Sequence, residues 1–115
     1  MNDQGHIFTI IGAGNMGTAI LAGILRNGLT VPQNVRATGR REEHLAALRE
    51  QFGISTYTDN AAAVAEADVV LLCVKPQHLD PVMQELVNHL PAKTLVISIV
   101  AGVRMAKLSK GLNHG

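Results

Sequence analysis

Residues 7–26 read IFTIIGAGNMGTAILAGILR: a nearly unbroken apolar run, three glycines spaced G-x-G-x-x-G, then a second apolar pattern at helical spacing. The run Ile7–Ile11 predicts a buried strand, and Asn15–Asn27, closed by Gly28, predicts a helix. Glycines between a strand and a helix are what a dinucleotide-binding turn requires. Gly12 permits the tight turn, Gly14 leaves no side chain in the path of a pyrophosphate, and Gly17 lets the helix lie close on its strand. Ile11, Ala13, Asn15 and Met16 complete the loop, and the backbone N–H groups of Asn15 and Met16 face the phosphate at the positive end of the helix. The same residues also permit a plainer reading, a turn that only tightens a strand–helix junction.

Working outward, two further apolar runs, Val69–Val74 and Thr94–Val100, predict strands covered on both faces, as in a parallel sheet. Shorter strands are expected at Asn34–Thr38 and Ile54–Tyr57. Helices are expected from Arg41 to Phe52 before Gly53, from the Asp59 cap through Glu66, and from Asp80 to Leu90. Strands and helices alternate with short connections, which gives an α/β, doubly wound parallel sheet of the Rossmann type. At 115 residues the expectation is one NAD(P)-binding domain over residues 1–115. A helical pattern begins at Arg104 and reaches Leu112; the sixth strand usual in such a fold is not expected in this stretch.

The tip of the second strand bears on which nucleotide is expected. An NAD site places a carboxylate there, about 20 residues past the glycines, for the ribose 2′-hydroxyl. Here the tip reads Thr38, Gly39, Arg40, Arg41, so two guanidinium groups stand ready for a 2′-phosphate, and NADPH is expected over NADH. The competing reading leaves both arginines solvated and turns Glu42 and Glu43 back toward the ribose. At the other strand ends, Lys75 and Pro76 offer backbone and charge, and His78 offers a proton donor or a plain loop histidine. Cys73, inside an apolar strand, reads as core rather than nucleophile.

Several classes are excluded. His6, His44, His89 and His114 lack metal-ligand spacing, so no metal site is expected. A net charge of +1 with one short basic pair gives no nucleic-acid or anionic-membrane partner. No run spans a bilayer, residues 1–6 carry no basic leader, and one cysteine precludes an internal disulfide, so the expected compartment is the cytoplasm.

The motifs IGAGNMGTAI, the TGR after the second strand, CVKPQ after the fourth and ISIVAGV after the fifth resemble, in order, those of the pyrroline-5-carboxylate reductase family. That resemblance implies NADPH-dependent reduction of the cyclic imine 1-pyrroline-5-carboxylate to proline. It carries the cofactor contacts to Ile11 through Gly17 at the pyrophosphate, to Thr38 and Arg40 at the 2′-phosphate, and to Asn60 near the adenosine. Val74, Lys75 and Pro76, with Ile99, Val100 and Ala101, fall beside the nicotinamide. Asn60 also reads simply as a helix start. In the family a C-terminal helical domain holds the substrate and builds the oligomer, and its motifs do not occur here. The implied role is therefore the cofactor-binding portion, with catalysis by the isolated chain left open and self-association expected through uncovered surface. Two other functions keep the fold: a β-hydroxyacid-type dehydrogenase, and a nucleotide-sensing module that binds NADP without chemistry.

Overall fold

The computed structural model describes residues 6–99. The expectations for Val100, Ala101 and the helical pattern from Arg104 to Leu112 lie outside the described residues. Within them, five strands alternate with four helices: β1 (Phe8–Ile11), α1 (Asn15–Arg26), β2 (Val35–Thr38), α2 (Glu42–Phe52), β3 (Ser55–Tyr57), α3 (Asn60–Ala63), β4 (Val69–Leu72), α4 (Leu79–Leu86) and β5 (Leu95–Ser98). All pairings are parallel and the sheet order is β3-β2-β1-β4-β5. The chain therefore winds outward from β1 in one direction, returns, and winds outward in the other. The order reverses beside β1, where such sheets bind ligands.

Successive residues of the central strands feed opposite cores, as the period of a strand demands. Ile10 and Leu71 pack with Leu21 and Ile24 of α1 and with Leu45 and Leu48 of α2. Ile11 and Leu72 pack instead with Val64 and Ala67 and with Leu79, Val82, Met83 and Leu86 of α4. Helices thus cover both faces, and the doubly wound α/β sheet expected from the sequence is the observed fold.

The elements end for local reasons. Gly53 closes α2 at φ 72°, a left-handed conformation that favours glycine. Asp59 opens α3 by accepting the Ala61 N–H at 3.0 Å, as expected of a cap. α3 is shorter than expected, ending at Ala63 rather than Glu66. α4 ends at Leu86 rather than Leu90, with Asn88 in the left-handed region at φ 66°.

One expectation is corrected. The described part of the expected run Thr94–Val100, through Ile99, does not form a strand buried on both faces. β5 is the outermost strand, and only its Val96 face packs on the core that α4 covers. On the other face Leu95 and Ile97, with Ile99 just beyond, stay 57%, 39% and 37% exposed. No helix covers that face among the described residues.

At the end of the sheet away from the glycine loop, Asp68 ties three segments together. Its carboxylate accepts the Ile7 N–H at 2.8 Å and pairs with Lys93 at 2.9 Å, while the Leu95 N–H donates to its backbone carbonyl at 2.9 Å. The Ile7 hydrogen bond, then Lys93, holds the carboxyl below the usual carboxylate range.

Candidate dinucleotide site

The glycine loop connects β1 to α1 at the carboxyl end of the central strand. Gly12 has φ 82°, and a Cβ placed there would stand 2.6 Å from Val74 Cγ1, so both conformation and space exclude a side chain. A Cβ on Gly17 would meet the Gly12 carbonyl at 3.0 Å and Ile10 Cγ2 at 3.3 Å, the close helix–strand approach. Gly14 differs from both. Its φ of −83° lies outside the left-handed region, and a Cβ there would have no atom beyond its chain neighbours within 4 Å. No neighbouring side chain or backbone crowds position 14; the space in front of it faces outward.

α1 begins behind that space with no side-chain cap and no acidic residue in its first turn. Gly14, Asn15 and Met16 are exposed. Backbone donors and the positive end of a 12-residue helix therefore face solvent together, an arrangement suited to a phosphate.

Three groups fix the loop. The Gly12 N–H donates to Thr38 Oγ1 at 3.1 Å, the Ala13 N–H donates to the Thr38 carbonyl at 2.8 Å, and His44 Nε2 donates to the Ala13 carbonyl at 2.6 Å. Because a carbonyl only accepts, that imidazole carries its proton on Nε2. Thr38 is buried, so its hydroxyl works on the loop from below, whereas the expected position at a 2′-phosphate would need it at the surface. His44 was missed by spacing rules that looked for metal. The available signal was its place in the first turn of α2, just past a strand tip adjacent to the glycine strand.

At the β2 tip Arg40 and Arg41 are both exposed but diverge. Arg41 Nε donates to Glu43 Oε1 at 3.0 Å, which helps hold the Glu43 carboxyl below its ordinary range after the backbone hydrogen bond at Glu43 itself. Glu42 pairs with Arg49 at 2.7 Å. Both carboxylates that could have reached back to a ribose are thus committed to other arginines. Arg40 extends the other way, its Nη1 donating to His78 Nε2 at 3.1 Å. A guanidinium has no lone pair to offer, so Nε2 accepts and is unprotonated. The second polar partner that sequence proximity did not supply for His78 is Arg40.

Of the remaining expected residues, Ile11 and Ala13 are buried at the strand end and in the loop. Val74 presses on Gly12, and Lys75 and Pro76 are exposed beside it, Pro76 opening a single 3-10 turn through His78. Ile99 follows β5, its N–H donating to the Leu72 carbonyl at 3.0 Å. Asn60 is not brought to the loop by any hydrogen bond; its Nδ2 donates to Glu85 on α4 at 2.6 Å. Cys73 lies against the α1/α2 core, and burial pushes its thiol up to about 11, far from a nucleophile's range. No cluster of three His, Cys, Asp or Glu side chains able to hold a metal occurs among the described residues.

The arrangement matches known proteins over most of its length. A pyrroline-5-carboxylate reductase of Methanosarcina acetivorans is 41% identical over 91% of this chain, which spans 39% of that relative. The pyrroline-5-carboxylate reductase structure from Coxiella burnetii superposes with a TM-score of 0.83 at 34% identity, covering 93% of this chain and 40% of that one. A Plasmodium falciparum pyrroline carboxylate reductase with NADP bound shares the fold at a TM-score of 0.80 and 21% identity, over 96% of this chain and 39% of its own. The resemblance drawn from the four motifs is thus carried by relatives bearing that name, of whose length this chain spans about two fifths. The family model described as NADP oxidoreductase, coenzyme F420-dependent, matches residues 7–102, and the chain belongs to that family.

Proposed function

We propose that residues 1–115 form one NAD(P)-binding domain that holds NADPH in preference to NADH, and that the protein built on it reduces 1-pyrroline-5-carboxylate to proline. The carrying observation is Gly14, a glycine that no neighbouring side chain or backbone crowds, set before an uncapped helix terminus. A pyrophosphate accounts for it: a methyl group at that place would stand between ligand and backbone.

The residues fit the cofactor elsewhere too. Gly12 through Gly17 would hold the pyrophosphate, with Thr38 and His44 keeping the loop in shape beneath it. Arg40 would meet the 2′-phosphate, seconded by Arg41; the commitment of Glu42 and Glu43 to Arg49 and Arg41 supports this over a ribose-binding carboxylate. The dinucleotide, when bound, supplies a hydride to an electrophilic carbon. This chain's part is orientation, since an iminium needs little further activation. Val74, Lys75, Pro76 and Ile99, with Val100 and Ala101, would border the nicotinamide. The substrate reading rests on the relatives' name and the shared motifs. The free Cys73 thiol is compatible with a reducing cytoplasm, which we propose as its compartment.

Fluorescence titration with NADPH and NADH tests the reading. The native chain is expected to bind NADPH more tightly, and an Arg40→Ala, Arg41→Ala double variant to lose that preference by roughly ten- to hundredfold. Binding of neither nucleotide by the folded chain would reduce the glycines to a turn and sink the proposal. Oxidation of NADPH in the presence of the cyclic imine then tests the substrate.

A further inference from the structure

Arg40 and His78 are 38 residues apart in sequence and follow different strands. Arg40 follows β2 and His78 follows β4, and β1 with its glycine loop lies between those strands. Two strand spacings amount to roughly 10 Å, so the two side chains meet only by reaching toward each other over the end of β1. A dinucleotide in such a sheet lies along the strand ends, its adenosine at the β2 tip and its pyrophosphate on the loop after β1. The Arg40–His78 bond crosses that path.

We infer that His78 is an affinity-setting residue of this nucleotide site, acting through Arg40: its Nε2 lone pair holds the guanidinium across the groove, and a dinucleotide enters by breaking that bond. The inference rests on the proposed nucleotide binding. It separates two contributions that the β2 tip alone would merge. Release from His78 is a cost common to every dinucleotide that uses the groove. Only a nucleotide with a 2′-phosphate then gives Arg40 a new and stronger partner, because a charged acceptor outbids an imidazole lone pair. His78 therefore sets how tightly the groove binds, and Arg40 sets what it prefers.

The pattern across variants is distinctive. His78→Ala frees the guanidinium, and both NADPH and NADH should bind about three- to tenfold more tightly, the worth of one exposed charge-assisted hydrogen bond, with their ratio unchanged. His78→Gln offers an amide oxygen in place of the nitrogen lone pair and should return both affinities toward the native values. Arg40→Ala removes the same obstruction along with the 2′-phosphate partner. NADH should tighten as it does in His78→Ala, while NADPH weakens.

The experiment is a fluorescence titration of the 115-residue chain and these three variants with both nucleotides, each protein first shown folded by thermal unfolding. An imidazole nitrogen spectrum of native chain and Arg40→Ala adds a readout independent of binding: the Nε2 resonance, unprotonated in the native chain, should move when the guanidinium is removed. Equal tightening in His78→Ala, with recovery in His78→Gln, is the expected result. Weaker binding of both nucleotides in His78→Ala would make His78 a direct contact and overturn the inference. So would unchanged affinities or an unmoved Nε2 resonance. If the folded native chain and every variant bind neither nucleotide, the dinucleotide reading itself fails and the inference with it. Native binding without tightening in His78→Ala removes the inference alone.

Discussion

Gly14 and Gly17 stand three residues apart, and the structure gives them opposite tasks. A methyl group on Gly17 would enter contact with the Gly12 carbonyl, backbone that can yield only by moving the loop or the helix. Gly17→Ala should therefore lower stability by about 1–3 kcal/mol, as overpacking does, and weaken nucleotide binding only as a consequence. A methyl group on Gly14 meets no protein atom. Gly14→Ala should cost under about 1 kcal/mol, the loss of a good helix-start residue, yet reduce NADPH affinity on the order of tenfold or more. Denaturant midpoints and binding titrations on the same two variants check the crossing. Equal losses of stability, with affinity spared in Gly14→Ala, would remove the ligand from the explanation. The glycine loop was legible because its turn is local and its three glycines lie within six residues, although Val74 closes the space at Gly12 from another strand. The groups that hold it were not. His44 reaches Ala13 across 31 residues, and Arg40 reaches His78 across 38, distances that only the strand order closes.

Among the elements, β4 and β1 were readable for a physical reason, since a strand covered by helices on both faces must be apolar at every position. β5 carries the same kind of run and is half bare. Composition alone does not say whether a helix lies over a given face, so Leu95 and Ile97 read like Val70 and Leu72 although the first pair is exposed. The amino ends of the strands show a different economy, with one acidic side chain doing the joining. Asp68 gathers the start of β1 through Ile7 and the approach to β5 through Lys93. Because these partners hold its carboxyl below the ordinary range, the native state binds that proton less readily than the unfolded chain does. The stabilisation is present above the unfolded value, about 3.9, and is lost as pH falls through the folded one. Asp68→Asn should cost about 1 kcal/mol at neutral pH and flatten the fall in stability below about pH 4. NADPH binding should be unaffected, because the substitution lies at the end of the sheet away from the glycine loop. Parallel acid-unfolding curves for the native chain and the variant would expose a contribution from other carboxylates, which the substitution would leave in place.

At the scale of the whole molecule, helices cover both faces of the sheet except at β5, where no helix of the described residues lies over Leu95 and Ile97. α1 and α2 cover β1, β2 and the adjoining part of β4, while α4, with Val64 and Ala67 after α3, packs beneath β4 and β5. What is left is a strand edge beside an apolar strip, Leu95, Ile97 and Ile99, and no helix of the described residues is long and apolar enough to take such a strip into a membrane. Sheet edges are where strands of other chains pair, and an adjacent apolar strip adds burial to any pairing that forms there. Charged side chains that would discourage pairing are missing from the strand itself, which reads LVIS. The isolated chain should therefore self-associate through β5. Sedimentation velocity over a hundredfold range of concentration should show a coefficient that rises with loading. An Ile97→Lys variant places a charge at the centre of the strip, the device by which natural edge strands avoid pairing, and should shift the protein to a single slow species while leaving NADPH affinity intact. A native chain that sediments as a monomer at the highest loading would show that the exposed strip is too narrow to drive association. The glycine loop sits over β1 and Ile97 lies two strands away on β5, so the substitution at Ile97 tests association apart from the loop, with Ile99 the one residue shared by the strip and the proposed nicotinamide border.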